Sequence, residues 1–386
     1  MKTYQLAVFL IVVFSVYFLG NAYIYIKGIN AISGLKENRL LYTLIFVLLA
    51  LTFIVAKVLE SRHSTVLTDV LNIIGGFWMG FLVYGFFFFL LSDIIGLILR
   101  LPGFINNANL PDYRKWSFIL VMSLSVLLIA GGFINAIIPK VREYNINIPK
   151  KTDGIRTLKV AAVSDIHLGS IIRKRSIKKL SGILAGLKPD VVFLLGDVID
   201  GEMGPVLRGD LLQYFTIPVT ADGLYAITGN HEFIGGAKRT IPYIESKGIR
   251  VLKDEVVKLP GGIQLIGRID KDSGRFFTSG RAPLEVLMKG IDHSYPVILL
   301  DHQPLKLEES EKNGVDLQLS GHTHNGQFWP LNYFTRAIYE VSYGYLRKGN
   351  TQIIVSSGFG IWGPRIRSAS RSEVLLVNIT FGEESK

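Results

Sequence analysis

Four long apolar runs near the start of the chain limit its fold more strongly than any other feature of the sequence. They cover residues 5–26, 40–58, 71–91 and 118–138. A helix needs about 20 mostly apolar residues to cross the hydrocarbon core of a bilayer. Because lipid offers no hydrogen-bond partners, a segment that crosses as a single run must be helical. We therefore predict an all-α transmembrane bundle of about four helices over residues 1–138.

The topology of these spans follows from their number and their flanks. The first run could be a cleaved signal peptide, but it exceeds the roughly 7–15 apolar residues of such signals and lacks a convincing small-residue cleavage site. We interpret it as a retained span, so both chain ends lie on the same side. Lysine and arginine are almost evenly divided between the two sides. The basic residues after the fourth run favour a cytoplasmic position for the rest of the chain.

The overall charge indicates which kinds of partner the protein binds. The 386 residues carry a formal net charge of +11, with a pI near 9.5, which favours anionic lipid headgroups or phosphorylated substrates as partners. Lysine and arginine beside membrane spans account for much of this charge. No cysteine is present, so disulfides and thiolate metal ligands are excluded. We predict the lipid bilayer as a partner and no specific nucleic acid; the oligomeric state stays open.

The remaining residues have the composition of a globular domain. Residues 139–157 are polar and basic with Pro139, Pro149 and Gly154, and we interpret them as a juxtamembrane linker. Over residues 158–386, short β-rich runs such as 158–163 alternate with helical ones such as 176–187. Strands become more frequent toward the end. This mixture predicts a C-terminal α/β domain with two packed sheets flanked by helices.

Five polar motifs each follow a predicted strand of this domain. They are Asp165-Ile166-His167, Gly196-Asp197-Val198-Ile199-Asp200, Gly229-Asn230-His231-Glu232, Asp301-His302 and Gly321-His322-Thr323-His324. Ligand sites of open α/β sheets form at the carboxyl ends of strands. Carboxylates, an amide oxygen and imidazoles are suitable ligands for two borderline divalent metals. We therefore expect one metal site built from these motifs.

The ordered motifs resemble the calcineurin-like metallophosphoesterase family over about residues 157–381. A single motif of this kind occurs by chance, whereas five in the expected order, each after a strand, are highly specific. The closing segment, with Ser356-Ser357-Gly358-Phe359-Gly360 and Gly363-Pro364-Arg365-Ile366-Arg367, is similar to the membrane-associated bacterial branch typified by YkuE and YaeI.

The resemblance implies roles for the matching residues. The implied ligands are Asp165, His167 and His324 for one metal, Asn230, His302 and His322 for the other, and Asp197 as a bridge between them. His231 would bind no metal but would face the scissile phosphate, where it stabilises charge or protonates the leaving oxygen. Asp200 and Glu232 would orient imidazoles. Of the possible metals we favour Mn²⁺, with Fe or Zn²⁺ as alternatives.

The implied function is that of a membrane-anchored, dinuclear metal-dependent phosphohydrolase. A hydroxide that bridges the metals would attack phosphorus in line. We favour a phosphodiesterase or pyrophosphatase over a monoesterase. The anchor makes a membrane phosphoester a reasonable substrate, such as a phospholipid, a lipid-linked nucleotide like UDP-diacylglucosamine, or a cell-envelope phosphodiester.

Two other function classes compete with this interpretation. A non-catalytic membrane sensor or scaffold would lack a ligand or His231, and none is missing. A transporter regulated by the C-terminal half would carry polar residues in its spans, and the four runs hold almost none.

Further residues have two open interpretations. Arg173, Lys174 and Arg175, and also Arg365, Arg367 and Arg371, could grip a second phosphate or an anionic headgroup, or could form a charged surface. Phe328-Trp329-Pro330 could form an apolar lip for an acyl chain, or could pack beneath the site.

Overall fold

The computed structural model describes residues 3–216, 222–275 and 280–382. The chain divides into two compact units, Met1–Gly131 and Gly132–Lys386. The helices are α1 (Thr3–Ala31), α2 (Ser33–Glu37), α3 (Arg39–Arg62), α4 (Val66–Arg100), α5 (Leu110–Ile137), α6 (Lys174–Leu187), α7 (Met203–Gly209), α8 (Asn230–Ile234), α9 (Ala237–Glu245), α10 (Leu284–Leu287), α11 (Leu307–Lys312) and α12 (Leu331–Ile338). The strands are β1 (Lys140–Ile148), β2 (Thr157–Val163), β3 (Val191–Leu195), β4 (Leu224–Ile227), β5 (Arg250–Leu252), β6 (Glu255–Lys258), β7 (Gln264–Gly267), β8 (Val297–Leu300), β9 (Leu317–Ser320), β10 (Gly344–Lys348), β11 (Thr351–Val355) and β12 (Glu373–Phe381).

Four of the helices are long and apolar enough to cross a membrane, as predicted. Their candidate spans are Ile11–Ala31, Arg39–Arg62, Val66–Arg100 and Leu110–Ile137. Many of their large apolar side chains face outward, for example Leu40 at 75% and Leu48 at 68% exposure. Such surfaces are unfavourable in water but suit contact with lipid tails. Within the first unit α3 and α4 pack closely, because Gly75 leaves no side chain against the Phe53 backbone.

The third span is longer at both ends than its apolar run. Thr65 and Thr68 form a reciprocal capping box that starts α4 ahead of residue 71. Near its other end, Asp93 forms an ion pair with Lys27 of α1 and accepts a hydrogen bond from Tyr23 at 2.6 Å. Capping and pairing thus extend the helix beyond what hydropathy alone indicates.

The second unit is built on two six-stranded mixed sheets. Their strand orders are β1-β12-β2-β3-β4-β5 and β10-β11-β9-β8-β7-β6. One apolar cluster joins both sheets, including Phe193 and Leu195 of β3 with Leu300 of β8. Along β2, Val160 belongs to this cluster while Ala161 packs on the opposite face against helices such as α6. The predicted two-sheet α/β domain with flanking helices is therefore confirmed.

Part of the segment 139–157, which we interpret as a juxtamembrane linker, forms strand β1. Lys140–Ile148 pairs in parallel with β12 over its whole length, from Lys140 opposite Glu373 to Ile148 opposite Phe381. Ile146 and Ile148 alternate with polar residues and are buried in the core between the sheets. A partner strand more than two hundred residues away leaves no local signal. The domain limits 1–138 and 158–386 stay predictions.

Candidate metal centre

Every one of the five polar motifs lies just beyond the carboxyl end of a strand. The strands concerned are β2, β3, β4, β8 and β9, which come from both sheets. Five of the predicted site residues have left-handed backbones: Asp165 (φ 53°), His167 (51°), Asp197 (51°), His322 (70°) and His324 (48°). Such conformations cost about 1–3 kcal/mol each and concentrate at functional sites. These turns direct the side chains of both sheets to one shared edge.

The first ligand group is formed by Asp165, His167 and His324. Their nearest side-chain atoms lie within 4.8 Å of one another, and all three residues are buried. The Nε2 atoms of His167 and His324 are 3.1 Å apart, and His324 Nε2 lies 3.3 Å from Asp165 Oδ1. The three donors therefore converge on one point.

The second ligand group is formed by Asp197, His302 and His322, again within 4.8 Å. His302 Nε2 lies 3.1 Å from Asp197 Oδ2, and the same oxygen lies 3.8 Å from His167 Nε2 in the first group. Asn230, at the start of α8, lines the same cavity as Asp197 and His322. Asp197 thus lies between the two groups.

The donor atoms fit two divalent ions. Asp165 Oδ1, Asn230 Oδ1 and His302 Nε2 are buried without a hydrogen-bond partner among the described residues. Leaving such atoms unpaired costs about 1–3 kcal/mol each, so their clustering points to a ligand they share. Donors 3–4 Å apart also match ions held at about 2.0–2.2 Å from nitrogen and oxygen. Imidazole with carboxylate and amide oxygen is a donor set for borderline metals.

The protonation of the imidazoles differs between residues. Burial opposes a charge on His167, but the neighbouring carboxylates of Asp165, Asp200 and Asp197 outweigh it and raise its pKa to about 10. Burial likewise opposes a charge on His302, and the Asp197 carboxylate overrides it and raises the pKa. For His322 and His324 burial prevails and lowers the pKa to about 4. Since metal ligands must be deprotonated, ion binding would release protons from His167 and His302.

Two of the imidazoles are oriented through their second ring nitrogen. His167 Nδ1 lies 2.9 Å from Asp200 Oδ1, in agreement with the role expected of that carboxylate. His302 Nδ1 lies 2.7 Å from the carbonyl oxygen of Leu195, at the end of β3. Hydrogen bonds of this kind fix the ring and the tautomer of a metal-binding histidine. A side chain at Gly196 would collide with His302 Nδ1.

Glu232 acts on the backbone rather than on an imidazole, contrary to expectation. Its buried carboxylate accepts hydrogen bonds from the backbone N–H groups of Asp197 (3.0 Å), Ile199 (3.0 Å) and Gly229 (2.7 Å). Burial and the neighbouring Asp197 raise its pKa to about 7. Glu232 therefore joins two of the polar motifs to each other.

Arg367 is a site residue that sequence reasoning placed wrongly. It is fully buried, so it cannot grip a substrate from the surface. Its Nη2 lies 3.0 Å from His324 Nδ1, its Nη1 donates to the Ser357 carbonyl at 2.8 Å and its Nε donates to the Gly360 carbonyl at 3.0 Å. Burial lowers its pKa to about 10, which still leaves it charged at neutral pH. No local pattern identifies this partner of His324.

The carboxylate of Asp301, the residue before His302, is buried and forms ion pairs with Arg268 (3.3 Å) and Arg281. Two guanidinium groups thus neutralise this buried carboxylate.

His231 lies beside the ligand groups with a quarter of its side chain exposed. Its ring meets the edge of His167 at a centroid distance of 4.6 Å, and its Nδ1 is 3.4 Å from Asp200 Oδ1. His167, Asp200 and His231 also form a cluster that could hold a cation. The 2.9 Å bond between His167 and Asp200 favours a hydrogen-bonded arrangement there instead.

The apolar wall of the site comes from an element that the sequence reasoning overlooked. Phe328 is buried and packs against Trp362, so it belongs to the structure beneath the site. The cavity of about 410 Å³ that holds His231 and His322 is bounded instead by α12, through Leu331, Phe334 and Ile338. Phe334 and Ile338 are 65% and 70% exposed.

Comparison with known proteins agrees with this geometry. Residues 158–326 match the family model described as calcineurin-like phosphoesterase. An uncharacterized metallophosphoesterase of Aquifex aeolicus is 34% identical over 67% of this chain and 98% of its own length. A transmembrane protein with metallophosphoesterase domain from Danio rerio is 29% identical over 66% of this chain and 61% of its own. The UDP-2,3-diacylglucosamine pyrophosphatase LpxG of Chlamydia trachomatis is 22% identical over 63% of this chain and 89% of its own.

The hydrogen bond between Asp200 and His167 leads to a testable prediction. Asp200→Asn removes the charge that orients His167, and we expect metal affinity to fall about 10–100-fold. Titration calorimetry with Mn²⁺ on the purified chain measures this. Glu202→Gln, an exposed carboxylate two residues along the chain, is the matched control and should leave the affinity unchanged. Equal affinities for the two variants would contradict the orienting role.

Proposed function

This chain belongs to the calcineurin-like metallophosphoesterases and is a metal-dependent phosphoester hydrolase, and we propose that it acts as a membrane-anchored phosphodiesterase or pyrophosphatase on lipid-linked phosphoesters. One observation carries the proposal: a cavity that joins the converging metal ligands to an exposed apolar helix, in a chain with four helices long enough to span a bilayer. The membrane-associated bacterial branch within the family stays a prediction.

Two divalent ions belong to the proposed mechanism. Asp165, His167 and His324 would hold one, Asn230, His302 and His322 the other, and Asp197 both. The central position of Asp197, near His302 on one side and His167 on the other, supports the bridging role. Such a pair of ions activates water and stabilises charge on phosphoryl oxygens. We favour Mn²⁺, with Fe or Zn²⁺ as alternatives, because these ligand types do not distinguish among them.

His231 is the residue that we propose as the acid. It lines the cavity together with the ligands, and its ring is only partly buried, so it is accessible to a bound phosphoester. Its backbone N–H donates to Asp197 Oδ1 at 2.8 Å, which ties its position to the ligand groups. With Asp200 beside Nδ1, the ring would direct Nε2 toward the leaving oxygen. Proton donation at that atom contributes about 10²–10⁴-fold to rate in comparable enzymes.

The apolar face of α12 supports a lipid-linked substrate. Leu331, Phe334 and Ile338 line the cavity together with the polar ligands and are exposed, so they form an open apolar surface. An acyl chain next to the phosphoester would cover this surface. Burial of each large apolar side chain would stabilise the complex by about 1.5–3 kcal/mol. The diacylated substrate in the name of the Chlamydia relative is of this chemical class.

We expect activity against a simple diester to depend on His231 and Asp197. With Mn²⁺ and bis(p-nitrophenyl) phosphate, His231→Gln should lower kcat by about 10²–10⁴-fold while metal binding persists. Asp197→Asn should weaken metal binding and hydrolysis together, since it removes the central carboxylate. His293→Gln, outside the five motifs, is the control and should keep wild-type rates. Equal rates in all four proteins would refute the assignment.

The exposed apolar face of α12 leads to a prediction about the recognition of acyl chains. Phe334→Ser should raise KM for UDP-2,3-diacylglucosamine by about tenfold or more, because burial of one aromatic ring is lost. Hydrolysis of UDP-glucosamine, which lacks the acyl chains, should change little. Tyr333→Ser is the matched control, since Tyr333 is also exposed on α12 but does not border the cavity. A similar KM change for both substrates would exclude acyl-chain recognition by Phe334.

We also propose that the protein crosses the membrane several times and that its catalytic unit is cytoplasmic. The four candidate spans and the basic residues that follow the fourth, Lys140 and Arg142 among them, support this orientation. Alkaline phosphatase fused to the C-terminus, which is active only after export, should be inactive, whereas a fused fluorescent protein should be bright. The reverse pattern would place the catalytic unit outside.

A further inference from the structure

A second cavity of the Gly132–Lys386 unit is basic and shares no lining residue with the metal centre. Its volume is about 280 Å³. Three cationic side chains line it: Arg175 and Lys179 of α6, and Arg365 of the Gly-rich segment, residues 356–367 between β11 and β12. Phe133 and Ile137 of α5 and Phe359 form apolar walls. The cavity therefore combines positive charge on one side with an apolar surface on the other.

The positive charge of this cavity is not compensated within it. No carboxylate is among the described residues that line it. Arg365 donates through Nη2 to Ser176 Oγ at 3.0 Å, while its Nε is buried without a hydrogen-bond partner in the described part of the chain. Burial, and then the nearby Arg175, lower the pKa of Arg365. Two guanidinium groups that line one cavity, one of them with an unused donor, form a suitable site for an anion.

The start of α6 adds to the positive potential. Arg175 and Ser176 belong to its first turn, and no side-chain cap occupies that helix end. The aligned peptide dipoles of this 14-residue helix place partial positive charge there. Lys179, one turn further, donates to the Ile137 carbonyl at 2.7 Å and so links the helix to the end of α5.

With α5 crossing the membrane as proposed above, this cavity would lie near the lipid headgroups. Phe133 and Ile137 are in the last turn of the fourth candidate span, which ends at Ile137. Beyond it the chain continues as β1 of the sheet. A cavity at the end of a membrane span lies at the boundary between the hydrocarbon core and water, where the phosphates of phospholipids lie.

We propose that this cavity binds the phosphate of an anionic phospholipid, with Arg175 and Arg365 as its ligands and Phe133, Ile137 and Phe359 against the glycerol and upper acyl chain. The lipid is a bound structural partner and not the substrate. The site would hold the end of the fourth span and the catalytic unit against an anionic membrane surface.

The test compares lipid binding by the full-length chain with and without the two arginines. The purified protein, treated with EDTA so that the metal centre cannot bind phosphate, is placed in nanodiscs of phosphatidylcholine, with or without phosphatidylglycerol, and its unfolding temperature is measured. Native mass spectrometry in detergent gives the apparent affinity for phosphatidylglycerol. The cavity variants are the double substitution of Arg175→Gln with Arg365→Gln and the single substitution Arg365→Lys. The matched control is the double substitution of Lys238→Gln with Arg239→Gln on the exposed face of α9.

We expect phosphatidylglycerol to raise the unfolding temperature of the wild type and of the α9 control. The double cavity variant should lose this rise and bind the lipid about tenfold more weakly or worse, since two charge-assisted bonds are removed. Arg365→Lys should retain part of the response. An unchanged unfolding temperature in phosphatidylcholine alone shows that the variants fold.

Two results would overturn the proposal. One is an equal response to phosphatidylglycerol in the double cavity variant and the wild type. The other is stabilisation of the wild type by inorganic phosphate, in phosphatidylcholine nanodiscs, that equals the effect of phosphatidylglycerol, since the ligand would then be a free anion. Neither readout involves hydrolysis, so failure of the proposed enzymatic function would leave this test intact.

Discussion

Two carboxylates, Asp165 and Asp197, are fully buried at the edge where the two sheets meet. A buried charge is tolerated only when opposite charge and hydrogen bonds surround it. The imidazoles of His167 and His302 supply that charge, and in this environment their pKa values rise. Divalent ions would replace the protons at the same positions.

A second layer of contacts keeps this charged edge in one geometry. Glu232 joins the motifs after β3 and β4 through three backbone hydrogen bonds, and Arg367 holds His324 from behind while it ties the Gly-rich segment to the site. The left-handed turns that carry the ligands are costly by themselves. They persist because these buried contacts and the close-packed sheets allow no alternative.

Two surfaces of the Gly132–Lys386 unit carry the proposals about lipid. The exposed face of α12 continues the catalytic cavity as an apolar surface, and the basic cavity at the end of α5 offers a place for a lipid phosphate. These two surfaces use different residues. The proposed roles in substrate selection and in lipid binding can therefore be tested separately by mutation.

The sequence by itself determined the elements whose signal is local. Apolar runs of about 20 residues predicted four helices long enough to cross a bilayer, and the five motifs after strands predicted which residues meet at one sheet edge. Tertiary structure decided every feature that joins distant segments: the pairing of β1 with β12, the contact of Arg367 with His324, the role of Glu232 toward backbone N–H groups, and the meeting of Arg365 with Arg175. Hydropathy and motif spacing describe neighbours along the chain, whereas these contacts depend on which surfaces the packed sheets bring together.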